Sequence, residues 1–386
     1  MRTRMDPRSQ LEILSEKNLL RALAPGESHA LRIHRDGREL WNFASNDYLG
    51  LSQHPAIAAA FIAGIERFGT GSAASRLVTG SSPAHAALEE TLAAAKHSEA
   101  ALTFSSGYAT ALSAIPVICG KGDFVIIDKL AHASLIDAAR MSEATLRVFP
   151  HNNTERLTKL LATLRGKHPR ARLLVVTESV FSMDGDLCPL REILGICERQ
   201  GAELLLDEAH AIGVLGPTGM GLAEELGVQE NVHFQMGTLS KALGLSGGYL
   251  AASRDWIQLF INRARPFIYT TAPPPALAHA ALNSLEIVRS AHGETLRKKL
   301  FQNISLLREN HSSAILPIIY GENQAALNAS AALVEKGFLV PAIRYPTVPR
   351  GSARLRVTLS AVHPPEVVSA IGKVLSELRF GVPSIS

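Results

Sequence analysis

The chain has three cysteines in 386 residues, Cys119, Cys188 and Cys197. Their spacing matches neither a metal-binding repeat nor a disulfide framework. Cys119 and Cys197 sit in apolar helical stretches, where cysteine serves as a small core residue, and a reducing cytoplasm fits this usage. Charge of one sign is also lacking: 39 Lys and Arg face 35 Asp and Glu, a net of +4. No run of five or six like charges occurs, so neither nucleic-acid binding nor a polybasic membrane contact finds support. Apolar runs break well short of the roughly 20 residues needed to cross a bilayer. The start, Met1-Arg-Thr-Arg-Met-Asp-Pro-Arg-Ser9, is polar and has no apolar signal-peptide core, which leads us to expect a cytoplasmic protein. Repeats and low-complexity segments are absent. What remains is an ordinary globular composition, 46% apolar and 19% charged, in a chain long enough for two or more domains.

Residues 9–24 read as an amphipathic helix ahead of the Pro25-Gly26 turn. A hairpin follows, Leu31–His34 and Glu39–Phe43 about Asp36-Gly37. Short apolar runs then alternate with helical patterns: Ala101–Phe104, Phe124–Asp128, Leu173–Thr177, Glu203–Asp207, His233–Met236 and Gly248–Ala251. Such runs read as strands buried on both faces of a mainly parallel sheet. Ser82-Pro83 supplies a cap and a first-turn proline for a helix over Ala84–Lys96. A long helical stretch runs from Ala276 to about Ile304, followed by strand and helix signals to Leu359. The expected division is a helix-and-hairpin arm (1–45), a large α/β domain (46–285) and a smaller α+β domain (286–386).

In parallel α/β sheets, ligands bind at the carboxyl ends of the strands. Lys241, in Met236-Gly-Thr-Leu-Ser-Lys-Ala-Leu-Gly-Leu-Ser-Gly-Gly248, has no charged neighbour for several positions on either side. A lysine on a small-residue turn backed by an apolar strand suggests a desolvated amine that can form a Schiff base with an aldehyde; a structural loop lysine is the plain alternative. After Glu203–Leu206 come Asp207 and His210. Without further ligands nearby the pair is no zinc site. Asp207 could pair with a protonated ring nitrogen, or simply cap a helix. After Phe104, Ser105-Ser-Gly107-Tyr108 opens a helix whose N–H groups suit a phosphate, although an ordinary capped turn has the same sequence. His132 could stack on a flat cofactor or merely pack, and Ser182 could donate a hydrogen bond to a phenolate oxygen.

Together these residues resemble the site of fold-type I pyridoxal-phosphate enzymes, and more narrowly the α-oxoamine synthase family. The motifs are Asn42-Phe-Ala-Ser-Asn46-Asp-Tyr-Leu-Gly-Leu-Ser52, Gly69–Gly80, Thr177–Asp186, Asp207–Gly213 and Thr238-Leu-Ser-Lys241. The match covers nearly the whole chain. Two further segments, Tyr269–Pro275 and Ala342–Arg356, resemble the branch that joins L-alanine to a pimeloyl thioester, of CoA or acyl carrier protein, in biotin biosynthesis. The resemblance implies a fold-type I transferase with pyridoxal 5′-phosphate and no metal, working as a homodimer. Lys241 would hold the cofactor and move the α-proton, Asp207 would pair with its ring nitrogen, and His132 would stack on the ring. His210 and Ser182 would bind the phenolic oxygen side, while Gly107, Tyr108 and Thr238 hold the phosphate. Thr270 or Thr271 would reach the neighbouring subunit's phosphate. Arg21, Asn46, Thr347 and Arg356, with His132, would meet the amino-acid carboxylate or acyl chain. The sister reactions, glycine C-acetyltransferase and aminolevulinate synthase, use glycine; a non-catalytic partner subunit would lack the lysine.

Overall fold

In the computed structural model, the six apolar runs of the large sheet form strands, and a seventh strand joins them. In chain order they are β1 (Ala100–Phe104), β2 (Phe124–Asp128), β3 (Thr145–Phe149), β4 (Leu173–Glu178), β5 (Glu203–Asp207), β6 (Phe234–Thr238) and β7 (Gly248–Ala252). Their order across the sheet is β1-β7-β6-β5-β4-β2-β3. All pairings from β3 to β6 are parallel, and only β7 runs antiparallel to its two neighbours. Strands β2, β4, β6 and β7 are buried at every position, which is why they read as continuous apolar runs without alternation. The seventh, β3, is an edge strand paired only with β2; it exposes Arg147 and Val148, and that half-polar pattern hid it.

The structure describes residues 6–29 and 31–380; residues 1–5 of the polar start and 381–386 lie outside them. The chain forms two compact units, Asp47–Ser182 with Asp186–Phe301, and Met1–Asn46 with Met183–Gly185 and Gln302–Ser386. The first holds the seven-stranded sheet. Leu102, Phe104, Ile115, Val125, Leu135, Val176, Phe234 and Phe260 form the centre of its core. The expected helix from Ala276 to Ile304 is two helices, Pro275–Arg289 and Ala291–Leu307. They part at Ser290, whose backbone is extended (ψ 173°). Its hydroxyl accepts from His292 N and Gly293 N, as an N-cap serine does.

In the other unit the first helix spans Pro7–Glu16, not 9–24. Asn18 takes the left-handed conformation (φ 52°). Leu19 N then reaches Leu14 O at 2.8 Å, and Asn18 N reaches Ser15 O at 2.9 Å, the paired bonds of a Schellman stop. Arg21 therefore lies in an irregular segment beyond the helix. The hairpin forms as expected, with Asp36 and Gly37 both at positive φ in its turn. An additional strand, Glu27–His29, lies on one side of it, and Phe338–Leu339 pairs in parallel on the other. The N-terminal arm thus shares a sheet with residues near the C-terminus. A second, three-stranded antiparallel sheet joins Ile315–Gly321, Ala353–Thr358 and Ala342–Ile343.

Candidate active site

Strands β4, β5 and β6 end in Glu178, Asp207 and Thr238, and a cavity of about 230 Å³ opens beyond these ends. The turn carrying Lys241 is closed on itself by backbone bonds. Leu239 N donates to Gly247 O, Leu245 N to Leu239 O, and Gly244 N to Lys241 O at 2.8 Å. The Thr238 hydroxyl accepts from Ser240 N and donates to Gly247 O at 2.8 Å. Gly244, at φ 71°, leaves no room for a side chain; a Cβ there would lie 2.4 Å from Ser52 N. The turn so fixed holds the Lys241 amine 2.7 Å from His210 Nε2, whose other ring nitrogen lies 2.5 Å from the Tyr48 hydroxyl.

The cavity is lined by Lys241, Asp207, His210, His132, Thr238, Gly107 and Tyr108. Seven residues chosen from separate parts of the sequence therefore come to one place. Ser182 does not line it and lies buried in the turn after β4. Asp207 is buried; burial raises its carboxyl above the ordinary value, and the Lys241 amine opposes the rise. Glu178 is its register partner on β4, and burial together with the Asp207 charge drives it well above its usual range. Burial thus favours the neutral form of both carboxyls, most strongly at Glu178, while the Lys241 amine opposes it at Asp207. Glu178 also accepts the His132 backbone N–H at 2.5 Å. His132 Nδ1 is held 2.8 Å from Ser134 Oγ, and burial lowers the ring's pKa.

At the other side of the cavity the helix Gly107–Ile118 begins. Ser106 caps it by accepting Ala109 N at 3.1 Å. The opening N–H groups of a helix lack intrahelical acceptors and favour an anion. A Cβ on Gly107 would point at Thr238, 3.6 Å away, so glycine keeps that space clear. Gly248 on β7 lets the helix start come close: a Cβ there would meet Thr110 Oγ1 at 2.4 Å and Gly107 N at 2.7 Å.

In the other unit, Arg356 is buried on its strand, with Nη1 3.0 Å from both Asn46 Oδ1 and Thr358 Oγ1. Arg21 reaches Thr347 Oγ1 at 3.1 Å. The four substrate candidates thus form two pairs whose members are more than 300 residues apart in sequence. Thr270 is half-buried and Thr271 is exposed. Cys119, Cys188 and Cys197 are buried thiols, and burial pushes Cys119 and Cys197 up to about 12. Among the described residues no helix is long and apolar enough to cross a membrane.

The family model of class I and II aminotransferases matches residues 38–374. The chain belongs to this family. Relatives include 8-amino-7-oxononanoate synthases of Geobacter sulfurreducens, 44% identical over 96% of this chain and 97% of the relative, and of Anaeromyxobacter sp. (strain K), 46% identical over 97% and 96%. Among solved structures, serine palmitoyltransferase from S. paucimobilis with a bound PLP–myriocin aldimine superposes with a TM-score of 0.89 at 28% identity, covering 96% of each chain. An 8-amino-7-oxononanoate synthase from Francisella tularensis gives a TM-score of 0.74 at 27% identity, over 88% of this chain and 98% of that one. The fold is that of the fold-type I pyridoxal-phosphate transferases, and the cofactor is pyridoxal 5′-phosphate. The cavity suits it. An amine, a buried carboxylate and a helix N-terminus surround a space into which no side chain at Gly107 intrudes.

Sequence reading gave no role to Glu178, Tyr48 or Ser106. Glu178 had the same signal as Asp207, an acid at the end of a buried strand. Tyr48 had none, because its link to His210 spans 162 residues.

Proposed function

We propose that this enzyme condenses L-alanine with a pimeloyl thioester, of CoA or acyl carrier protein, to give 8-amino-7-oxononanoate, carbon dioxide and the free thiol. It works as a cytoplasmic homodimer in biotin biosynthesis. The observation that carries the reading is the Lys241 amine held over the same cavity as the buried Asp207 carboxylate, in a chain similar over nearly its full length to synthases of that name. Bound pyridoxal phosphate supplies an aldehyde for an amine and a ring that takes up the electron pair released at the amino-acid α-carbon.

The protein's own part is binding, orientation and proton movement. Lys241 Nζ would hold the cofactor and would move the proton at the amino-acid α-carbon. Asp207, fixed by Ala209 N at 2.9 Å, would pair with the ring nitrogen and favour its protonated form, which stabilises negative charge at the α-carbon. His132 would cover the ring and His210 would serve the phenolic oxygen side; Ser182, which lies outside the cavity's lining, is given no part there. Gly107, Tyr108 and Thr238 take the phosphate, and Thr270 or Thr271 takes that of the neighbouring subunit. Arg356 with Asn46, and Arg21 with Thr347, are assigned to the substrate's carboxylates and acyl chain; the support is the family resemblance and the fact that both arginines are held in place by those partners.

Thiol release tests this reading across acyl thioesters of different length, with L-alanine or glycine as the amino donor. Pimeloyl thioester with L-alanine is expected to turn over fastest. The methyl group separates alanine from glycine by only about 1–3 kcal/mol, so slow glycine turnover is expected too. Faster reaction of acetyl or succinyl thioester with glycine would assign the chain to a sister activity.

A further inference from the structure

Lys96 and Glu208 form an ion pair in which neither side chain is exposed to any degree, and none of the roles above uses it. Lys96 caps the helix Pro83–Ala95; its ammonium donates to Glu208 Oε2 and to Met220 O, the latter at 2.6 Å. Glu208 Oε1 accepts from Ala223 N at 3.0 Å. The surrounding loop is shaped to this carboxylate: Gly221 sits at φ 107°, and a Cβ there would lie 2.4 Å from Glu208 Oε1.

Glu208 is also the residue next to Asp207. Its N–H donates to Met236 O at 2.8 Å, and its carbonyl accepts from Ala211 N and Ile212 N. The turn that carries both Asp207 and His210 is therefore built on the Glu208 backbone. An ion pair is a poor way to stabilise an interior, because the desolvation of two charges offsets their attraction and apolar side chains serve as well. Paired with Lys96, the Glu208 carboxylate leaves no net charge beside Asp207; alone it would put a second buried negative charge next to Asp207 in the chain. Around Asp207 stand Lys241 and His132 in the cavity, Glu178 on the adjoining strand, Glu208 next in the chain, and Tyr249 on β7. Two of these are acids, and the charge of either opposes that of Asp207.

We propose that Lys96 is a positioning residue of the active site, cancelling the charge of Glu208 so that Asp207 keeps its own charge for the cofactor's ring nitrogen. The proposal rests on the reading of Asp207 given above. An uncompensated Glu208 carboxylate repels the charge of its chain neighbour and so raises the Asp207 pKa, and Asp207 then takes up a proton as the pH falls.

The test is the affinity of the enzyme for pyridoxal phosphate, measured by fluorescence between pH 6 and pH 9, with the visible spectrum of the holoenzyme and its thermal midpoint as further readouts. Lys96→Met is expected to weaken binding about tenfold, ~1.4 kcal/mol, with the loss deepening toward low pH. Lys96→Met combined with Glu208→Gln removes both charges and is expected to return the affinity to near the parent value, even with a lower thermal midpoint. A double variant no better than Lys96→Met, or a loss independent of pH, overturns the proposal and leaves the pair a packing element. If Lys96→Met does not fold, Glu208→Gln decides: it keeps the side-chain shape and should bind cofactor as well as the parent, and a tenfold loss would be contrary. Asp207→Asn is the control. If it binds normally, the reading of Asp207 fails and this proposal with it; if it binds poorly while Lys96→Met binds normally, the proposal alone fails.

Discussion

His151 sits between two carboxylates, with Nδ1 3.0 Å from Asp128 Oδ1 and Nε2 2.7 Å from Asp186 Oδ2. Desolvation pulls its pKa down, but the two acids overcome it and raise the ring from 6.5 to about 10. At neutral pH it is therefore a cation tying the end of β2 to the turn that follows β4 and contains Ser182. A rise of that size corresponds to about 5 kcal/mol before solvent screening. A quarter of the imidazole and nearly half of Asp186 face solvent, so screening reduces this to about 2 kcal/mol. The folded pKa exceeds the unfolded one, so the contribution is complete below pH 6.5 and fades as the pH climbs through about 10. Urea unfolding of the parent and His151→Gln, at one protein concentration and at pH 6, 8 and 10, measures it. A gap of about 2 kcal/mol at pH 6 that closes by pH 10 is expected. A gap of constant size across this range would refute the ion-bridge reasoning and leave only shape.

Three further changes probe the site. Asp207→Ala should retain some cofactor yet lose about 3 kcal/mol of transition-state stabilisation, seen as a fall of roughly a hundredfold in kcat; near-normal turnover would assign that task to another group. Gly248→Ala forces a Cβ onto Thr110 and the Gly107 N–H and should cost about 1–3 kcal/mol of stability, together with phosphate affinity, read from the thermal midpoint and from cofactor titration. Tyr48→Phe removes the hydroxyl beside His210. It should cost about 1 kcal/mol, visible as a modest drop in kcat/KM with an altered pH profile.

The large sheet was legible because strands buried on both faces leave unbroken apolar runs, and strand ends in a parallel sheet mark where ligands lie. That is how Asp207 and Lys241 could be read together, whereas Thr238 came with the family resemblance. Elements held by a few backbone bonds left no such trace: Glu27–His29 is an exposed strand of three residues. The first helix was drawn too long because apolar spacing continues past Glu16, whereas its stop depends on one left-handed asparagine. Long-range pairs were invisible for a related reason. Lys96, after three alanines at a helix end, reads as a solvated cation; only the fold brings Glu208, 112 residues away, to bury it. Ser182 was grouped with the cavity by resemblance, and the cavity's lining does not include it.

The central claim is that Lys241 is the amine that bonds the cofactor. Reduction of the holoenzyme with borohydride, proteolysis and peptide mapping test it directly. The account predicts a pyridoxyl group on the peptide carrying Lys241 and its disappearance in Lys241→Ala; a label on any other lysine would contradict it.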